Sequence, residues 1–125
     1  IDWSLKSEYS SLVEFVKGLI AMRKAHPAFS LGTAEAVREH LSFIEVENEA
    51  AVGFVLDNLE GIDSAKRIVV LLNGSREGVE FTIPEGNYKW LTDGTTVVAE
   101  GMGSLPVDDG KFVVSPVTGV VLAEF

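Results

Sequence analysis

The apolar residues in the first quarter of the chain follow a helical repeat. Between residues 9 and 26 they recur at steps of three and four, at Leu12, Phe15, Val16, Leu19, Ile20 and Met22. Ser7 or Ser10 can cap the start of this helix, and Pro27 ends it because a residue that precedes proline disfavours helical backbone. The pattern therefore predicts a helix over residues 9–26.

The apolar face of this helix is broad, because Val13 widens it on one side. A surface helix normally buries one apolar stripe, so a broader stripe favours burial against more than one surface. A second, short helix is predicted over residues 34–40. Thr33 can cap its first turn, and Glu35 lies where the helix dipole favours an anion.

After residue 40 the pattern changes to the two-residue repeat of β-strands. Val79, Phe81 and Ile83 alternate with polar residues, and residues 67–73 form the unbroken apolar run typical of a central strand. The predicted strands cover residues 41–47, 51–57, 67–73, 79–83, 87–92, 95–99, 111–115 and 119–125. Eight short strands at this spacing predict a mainly β fold, an antiparallel β-sandwich preceded by one long and one short α-helix.

Turn residues separate the predicted strands. Asp93-Gly94 is the strongest hairpin signal, because a type I′ turn requires positive φ at both central residues. Residues 100–110 are expected to form a long connection. Within it, Gly101-Met102-Gly103 is expected to be a flexible loop rather than a phosphate-binding loop, since no helix follows it.

The distribution of charge divides the chain at the same place as the hydrophobic pattern. The 125 residues have a formal net charge of −9. Residues 1–40 contain five acidic and five basic side chains, whereas residues 41–125 contain fourteen acidic and five basic ones. We therefore predict a helical segment over residues 1–40 and a β-sandwich over residues 41–125. The acidic balance argues against nucleic acid and anionic membranes as partners.

Composition excludes several further classes of protein. Without cysteine the chain has no disulfide framework, thiolate metal site or cysteine nucleophile, and no apolar stretch is long enough to span a bilayer. The chain begins at Ile1 without a methionine or a signal peptide, so we expect a piece of a longer protein. The absence of cysteine is compatible with both a cytoplasmic and an exported bacterial protein.

The polar side chains do not form a catalytic or metal-binding motif. His26 and His40 have no ligand at a metal-binding spacing, so we interpret them as packed side chains or as cations at helix ends. The neighbouring acids Asp108 and Asp109 are expected to point apart. Glutamates at positions 45, 47 and 49 are expected to form a solvated strand edge. We predict no catalytic residue, no metal ligand and no cofactor site.

Two aromatic side chains offer an alternative chemistry. Tyr88 and Trp90 are two residues apart on one predicted strand and therefore share a face. Exposed, they would form a flat platform for a sugar ring, and buried, they would be an ordinary core pair, which is the commoner arrangement. The two residues are the candidate carbohydrate-binding site of this chain.

The first segment resembles the end of the catalytic barrel of the α-amylase superfamily, glycoside hydrolase family 13. The resemblance rests on Ile1-Asp2-Trp3-Ser4 and on residues 16–29, VKGLIAMRKAHPAF. In that family an I-x-W stretch leads into the last barrel helix. The helix carries LIxLRKxHPAF, with leucine where Met22 stands here, and hands over to a C-terminal β-sandwich called domain C. Residues 33–43, TAEAVREHLSF, are similar to the type I pullulanase branch.

The later part of the chain resembles the same domain more loosely. Residues 68–74, IVVLLNG, are similar to its VVxxN strand, and residues 113–122, VVSPVTGVVL, are similar to its last two strands. The resemblance therefore extends over nearly the whole chain, in the order that the family shows.

The resemblance implies a non-catalytic C-terminal domain of a debranching enzyme that hydrolyses α-1,6-glucosidic linkages and retains the anomeric configuration. The family's Asp nucleophile, Glu acid/base and second Asp lie on barrel strands that precede this segment, so none of its catalytic residues is carried onto this chain. The implied partner is the (β/α)8 barrel of the same chain, which the sandwich would stabilise.

Two other functions remain open on the sequence. One is a carbohydrate-binding module that binds an α-glucan through Tyr88 and Trp90. The other is a structural or adhesive immunoglobulin-like domain unrelated to sugars, against which the helix motif of residues 16–29 argues.

Overall fold

The computed structural model describes all residues from Ile1 to Phe125. The helices are α1 (Leu5–Glu8), α2 (Ser10–Ala25) and α3 (Ala34–His40), with a 3-10 turn over Pro27–Ser30 between the last two. The strands are β1 (Leu41–Ile44), β2 (Ala51–Leu56), β3 (Arg67–Asn73), β4 (Val79–Thr82), β5 (Gly86–Thr92), β6 (Val97–Val107), β7 (Lys111–Val114) and β8 (Thr118–Glu124).

All strand pairs are antiparallel and form two sheets. Six strands pair in the order β1-β2-β3-β8-β5-β6, and β4 pairs with β7 in a second sheet. The two sheets enclose a core of twelve buried residues that includes Leu71, Phe81 and Leu122. The predicted antiparallel β-sandwich is confirmed.

A second core lies on the opposite face of the six-stranded sheet. Its ten buried residues include Met22 of α2, Ala28 of the 3-10 turn and Leu59 of the β2–β3 connection. The central strand β3 contributes to both cores, because side chains alternate between the faces of a strand. Val69 and Leu71 belong to the first core, Ile68 and Val70 belong to the second, and Leu72 is partly exposed. This double burial explains the unbroken apolar run predicted over residues 67–73.

The helices agree closely with the predicted bounds. Helix α2 ends where Pro27 requires it, since His26 has extended backbone with φ −116° and ψ 94°. The short helix α3 is capped by Thr33, whose hydroxyl accepts a hydrogen bond of 3.1 Å from the amide of Ala36. The predicted serine cap of α2 is wrong, because α1 lies directly before α2 and Tyr9 occupies the cap position without a side-chain hydrogen bond.

The predicted loop over residues 100–110 is also wrong, because most of it belongs to one long strand. Strand β6 runs unbroken through the Gly-Met-Gly segment that was expected to be a flexible loop. Gly101 and Gly103 have φ of 86° and 62°, and the register with β5 shifts beside them. A Cβ atom at Gly101 would lie 2.7 Å from Cβ of Lys89. The glycines therefore let the strand bulge against β5 rather than end.

The predicted hairpin at Asp93-Gly94 connects β5 and β6, but its turn is not type I′. Gly94 has positive φ, at 97°, whereas Asp93 does not. The Asp93 carboxylate instead accepts hydrogen bonds of 2.9 Å from the amides of Thr95 and Thr96. These hydrogen bonds hold the pKa of Asp93 below its ordinary value.

Candidate docking surface

Helix α2 has two apolar faces with different surroundings. On one face, Met22 is 7% exposed in the second core and Leu19 packs beside it. On the other face, Leu12, Val16 and Ile20 are 58%, 45% and 51% exposed. These three residues are four apart and form a straight row on the helix surface. The broad stripe predicted from the sequence is therefore covered by the sandwich on one side only.

The uncovered row continues towards the start of the chain. The exposed large apolar residues of this region are Ile1, Trp3, Leu5, Tyr9, Leu12, Val16 and Ile20, and we call the six from Trp3 onward the docking stripe. Single exposed apolar residues are common on soluble domains, but six of them within one helical segment are typical of an interaction surface. The sequence predicted a second surface for this helix, and the structure gives the residues that would face it.

Close packing against β6 sets the position of the docking stripe. A Cβ atom at Gly18 would lie 2.8 Å from Cβ of Val97, so only glycine allows the helix to approach the strand this closely.

At the start of the segment, Asp2 accepts hydrogen bonds from the hydroxyl and amide of Ser4, at 2.6 and 2.9 Å. Those bonds hold the pKa of Asp2 below its ordinary value.

Both histidines are packed side chains, one of the two interpretations drawn from the sequence. His26 is 1% exposed and contacts Asp63 and the carbonyl of Ala99 through its two ring nitrogens. Nδ1 of His40 lies 3.0 Å from the carbonyl oxygen of Asp57. Asp63 was missed as a partner of His26, because the only signal around it was that of a turn, and 37 residues separate the two.

Tyr88 and Trp90 share a face of β5, as predicted, and that face points into the first core. Tyr88 is fully buried, and its hydroxyl donates a 2.7 Å hydrogen bond to the carbonyl of Pro84. Burial raises the pKa of this hydroxyl. Trp90 is partly buried, with its ring centroid 5.5 Å from that of Phe112. The buried Tyr88 offers no face to a sugar, so the predicted platform is reduced to the exposed part of Trp90.

The acidic residues considered for chemistry lie on the surface. Strand β1 ends at Ile44, so the three glutamates expected on its edge lie in the connection that follows and are exposed. Two of them, Glu45 and Glu47, line an open cleft of about 670 Å³ together with Glu77 and Glu80. No cluster of histidine, aspartate or glutamate side chains has the arrangement of a metal site.

Asp108 and Asp109 lie in the connection between β6 and β7, and both are exposed. The Asp109 carboxylate accepts a hydrogen bond of 3.0 Å from the amide of Lys111. Both carboxylates lie on the outer surface of this connection.

None of the helices is long and apolar enough to cross a membrane.

Comparison with known proteins agrees with the fold and with the resemblance to pullulanases. The family model described as "Pullulanase, all-beta domain" matches residues 37–96. A pullulanase from Bacillus subtilis (strain 168) is 32% identical over 94 residues, which are 74% of this chain and 13% of that protein. The chain belongs to the pullulanase all-beta domain family. The predicted resemblance to pullulanases is thereby confirmed.

Solved structures place this pullulanase-family domain within larger proteins. A pullulanase from Bacillus acidopullulyticus superposes with a TM-score of 0.87 and 25% identity, over 98% of this chain and 15% of that one. The Bacillus subtilis pullulanase complexed with maltose superposes with a TM-score of 0.86 and 27% identity, over 98% of this chain and 17% of that one. A mutant pullulanase from Paenibacillus barengoltzii complexed with maltotetraose superposes with a TM-score of 0.80 and 32% identity, over 98% of this chain and 18% of that one. The domain thus spans less than a fifth of the length of these relatives.

Proposed function

We propose that this domain is the non-catalytic C-terminal domain of a pullulanase-like debranching glycoside hydrolase and that it stabilises the catalytic barrel. The docking stripe on α1 and α2 is the observation that carries the proposal. Its six apolar residues are 45–76% exposed in the isolated chain, and covering an exposed apolar side chain stabilises by up to about 1.5–3 kcal/mol. A helix in the outer layer of a (β/α)8 barrel presents its apolar face to the barrel strands in this way.

The division of the chain follows from the same argument. Residues 1–40 would complete the barrel, and residues 41–125 would form the appended sandwich. The boundary falls where α3 ends at His40 and β1 begins at Leu41. Helix α2 would then lie between the sandwich and the barrel, which accounts for its two apolar faces.

The surface of the domain supports a role without catalysis. Glycoside hydrolysis requires two carboxyl groups that face each other across the scissile bond, roughly 5–10 Å apart. The neighbouring acids Asp108 and Asp109 lie on an exposed turn, and the glutamates of the acidic cleft are surface side chains. Hydrolysis of α-1,6 linkages would then belong to other parts of the whole protein. A clean preparation of this chain should release no reducing sugar from pullulan, and measurable turnover would contradict the proposal.

A chimera tests the barrel contact directly. In it, this chain replaces the matching region of the Bacillus subtilis pullulanase. Val16→Ser with Ile20→Ser puts two hydroxyl groups into the proposed contact. We expect the chimera's thermal midpoint to fall by several degrees, because the hydroxyls would be buried without partners.

The matched control is Val52→Ser with Val113→Ser, which alters two comparably exposed valines on the strands. In the isolated chain both double variants should have small effects. In the chimera only the stripe variant should have a large one. Equal effects of the stripe variant in the chimera and in the isolated chain would rule out the proposed contact.

Carbohydrate binding through Tyr88 and Trp90 stays a prediction. Affinity electrophoresis in a pullulan gel separates it from the proposal above. Retardation that disappears on Trp90→Ala would support a binding module. Equal mobility of the wild type and the variant would remove it.

A further inference from the structure

The imidazole of His26 connects three parts of the fold. His26 follows the last turn of α2, and its ring is buried between the sheet and the β2–β3 connection. Nδ1 lies 2.7 Å from Oδ1 of Asp63 in that connection, and Nε2 lies 2.7 Å from the carbonyl oxygen of Ala99 in β6. The rings of Phe29 and Phe125 pack around it, with centroids 6.3 and 6.2 Å away. Two short hydrogen bonds thus join the end of the helix to the sandwich.

The number of protons on this ring follows from its partners. A backbone carbonyl and an ionised carboxylate can only accept hydrogen bonds, and a neutral imidazole donates through one nitrogen alone. In the neutral form, one of the two 2.7 Å contacts would bring a nitrogen lone pair against an oxygen. Both contacts are hydrogen bonds only when both ring nitrogens carry protons. With Asp63 ionised, the two contacts therefore favour a His26 ring that carries both protons.

The carboxyl group of Asp63 is built to stay ionised. Its side chain is fully buried, and besides His26 it accepts hydrogen bonds from the amides of Ala65 at 2.9 Å and Ala28 at 3.1 Å. Burial raises the pKa of Asp63, but the hydrogen bonds from Ala65, His26 and Ala28 outweigh burial and hold the pKa below its ordinary value. Backbone amides that donate to a carboxyl group favour its ionised form, so the contacts from Ala28 and Ala65 disfavour the arrangement in which Asp63 carries the proton and His26 is neutral.

We propose that His26 and Asp63 form a buried imidazolium–carboxylate clip that fastens the end of α2 to the sandwich and opens when His26 loses its proton. The clip holds at lower pH and is lost as the pH rises, because deprotonation leaves a lone pair against one of two oxygens. Release would loosen the helix that carries the docking stripe. The proposal holds whether or not the stripe contacts a catalytic barrel.

Few other charged groups surround the clip. Glu100 of β6 lines the same small cavity of about 180 Å³ as His26. Arg23 and Lys24 are exposed on α2 itself. From β5, the ammonium of Lys89 lies 5.6 Å from the centre of the Phe125 ring. The fully buried Asp63 is the charged group in direct contact with the ring.

Nitrogen NMR of the imidazole tests the protonation state in the wild-type chain. At about pH 7.5, an ordinary histidine is mostly neutral. We expect both ring nitrogens of His26 to carry protons in the folded chain and only one to do so in the urea-denatured chain. An unprotonated ring nitrogen in the folded chain would overturn the proposal.

The pH dependence of unfolding tests the clip itself. Asp63→Asn removes the charge, and Asp93→Asn is the matched control, since Asp93 also accepts two backbone amides but has no histidine partner. Between about pH 6 and about pH 9, the range in which imidazoles titrate, the thermal midpoint of the wild type and of the control should fall by several degrees more than that of Asp63→Asn. Parallel curves for all three proteins would disprove the clip. If Asp63→Asn does not fold, the NMR measurement decides.

Amide exchange locates the release. As the pH rises through the transition, protection factors in α2 and the 3-10 turn should fall relative to those in β3. A uniform loss of protection across all elements would show that His26 does not act on the helix specifically.

Discussion

The two faces of the six-stranded sheet are covered in different ways. The first core is closed by the chain's own β4–β7 sheet and contains twelve buried residues. The second core is closed by α2, the 3-10 turn and the β2–β3 connection, and the outer side of α2 remains apolar and exposed. The sandwich is therefore complete within this chain, whereas the helical layer has one apolar side still open. An exposed apolar face of this kind is typical of an interaction surface.

The two layers also differ in the buried polar side chains that hold them to the rest of the fold, which we call their anchors. On the sandwich side, the side-chain amide of Asn73 donates hydrogen bonds to the carbonyls of Glu77, Val114 and Ser115, at 2.8, 3.0 and 3.1 Å. On the helical side, the anchor is the pair formed by His26 and Asp63. An amide network is insensitive to pH, whereas a histidine pair depends on it. The fold thus combines a constant anchor with one that can be switched.

The largest expected effect is in the first core. Leu71→Ala should lower the free energy of unfolding by about 4 kcal/mol, because the leucine is fully buried between the sheets and its removal leaves a cavity. Urea denaturation of the 125-residue chain measures this loss. A loss below about 1 kcal/mol would mean that the sandwich is loosely packed, and the first core would then not differ from the helical layer in how well it is closed.

A smaller effect is expected at the constant anchor. Asn73→Ala should cost about 2 kcal/mol, because it leaves backbone carbonyls without their donor in a buried place. The loss should be the same at about pH 6 and about pH 9, in contrast to the behaviour expected of the His26 clip. A marked pH dependence of this variant would erase the difference between the two anchors.

The smallest effect is expected on the docking stripe. Ile20→Ala should change the stability of the isolated chain by less than about 0.5 kcal/mol, since the side chain is half exposed. A loss of about 2–5 kcal/mol is expected of an isoleucine buried by this chain, so a value in that range would show that the stripe is already covered.

Local rules predicted the elements whose causes lie within a few residues. Helix α2 deviates from its predicted range by one residue at each end, and the cap by Thr33 and the bounds of β3 agree with the prediction. In each case the apolar repeat, a hydroxyl cap or a proline determines the backbone of residues only a few positions away. The resemblance to pullulanases also rests on such contiguous motifs, at residues 16–29 and 33–43.

Errors arose where a distant strand decides the backbone. The glycine pair in β6 has the composition of a loop, but pairing with β5 makes Gly101 and Gly103 bulges within one strand. The predicted strand over residues 41–47 ends early, at Ile44, because only four of its residues pair with β2. Whether a segment is a strand depends on its partner, which a single sequence does not specify.

The sequence by itself determined that α2 has a broad apolar face, that the chain is mainly β, and that its family is that of the pullulanases. Only the tertiary structure decided which half of that face is covered, that Tyr88 is buried, and that Asp63 meets His26. The repeat of apolar residues shows which face of a helix or strand is apolar, because it depends only on the geometry of that one element. The partner of each face, and the charge state of a histidine between two oxygens, are set by contacts between residues far apart in the chain.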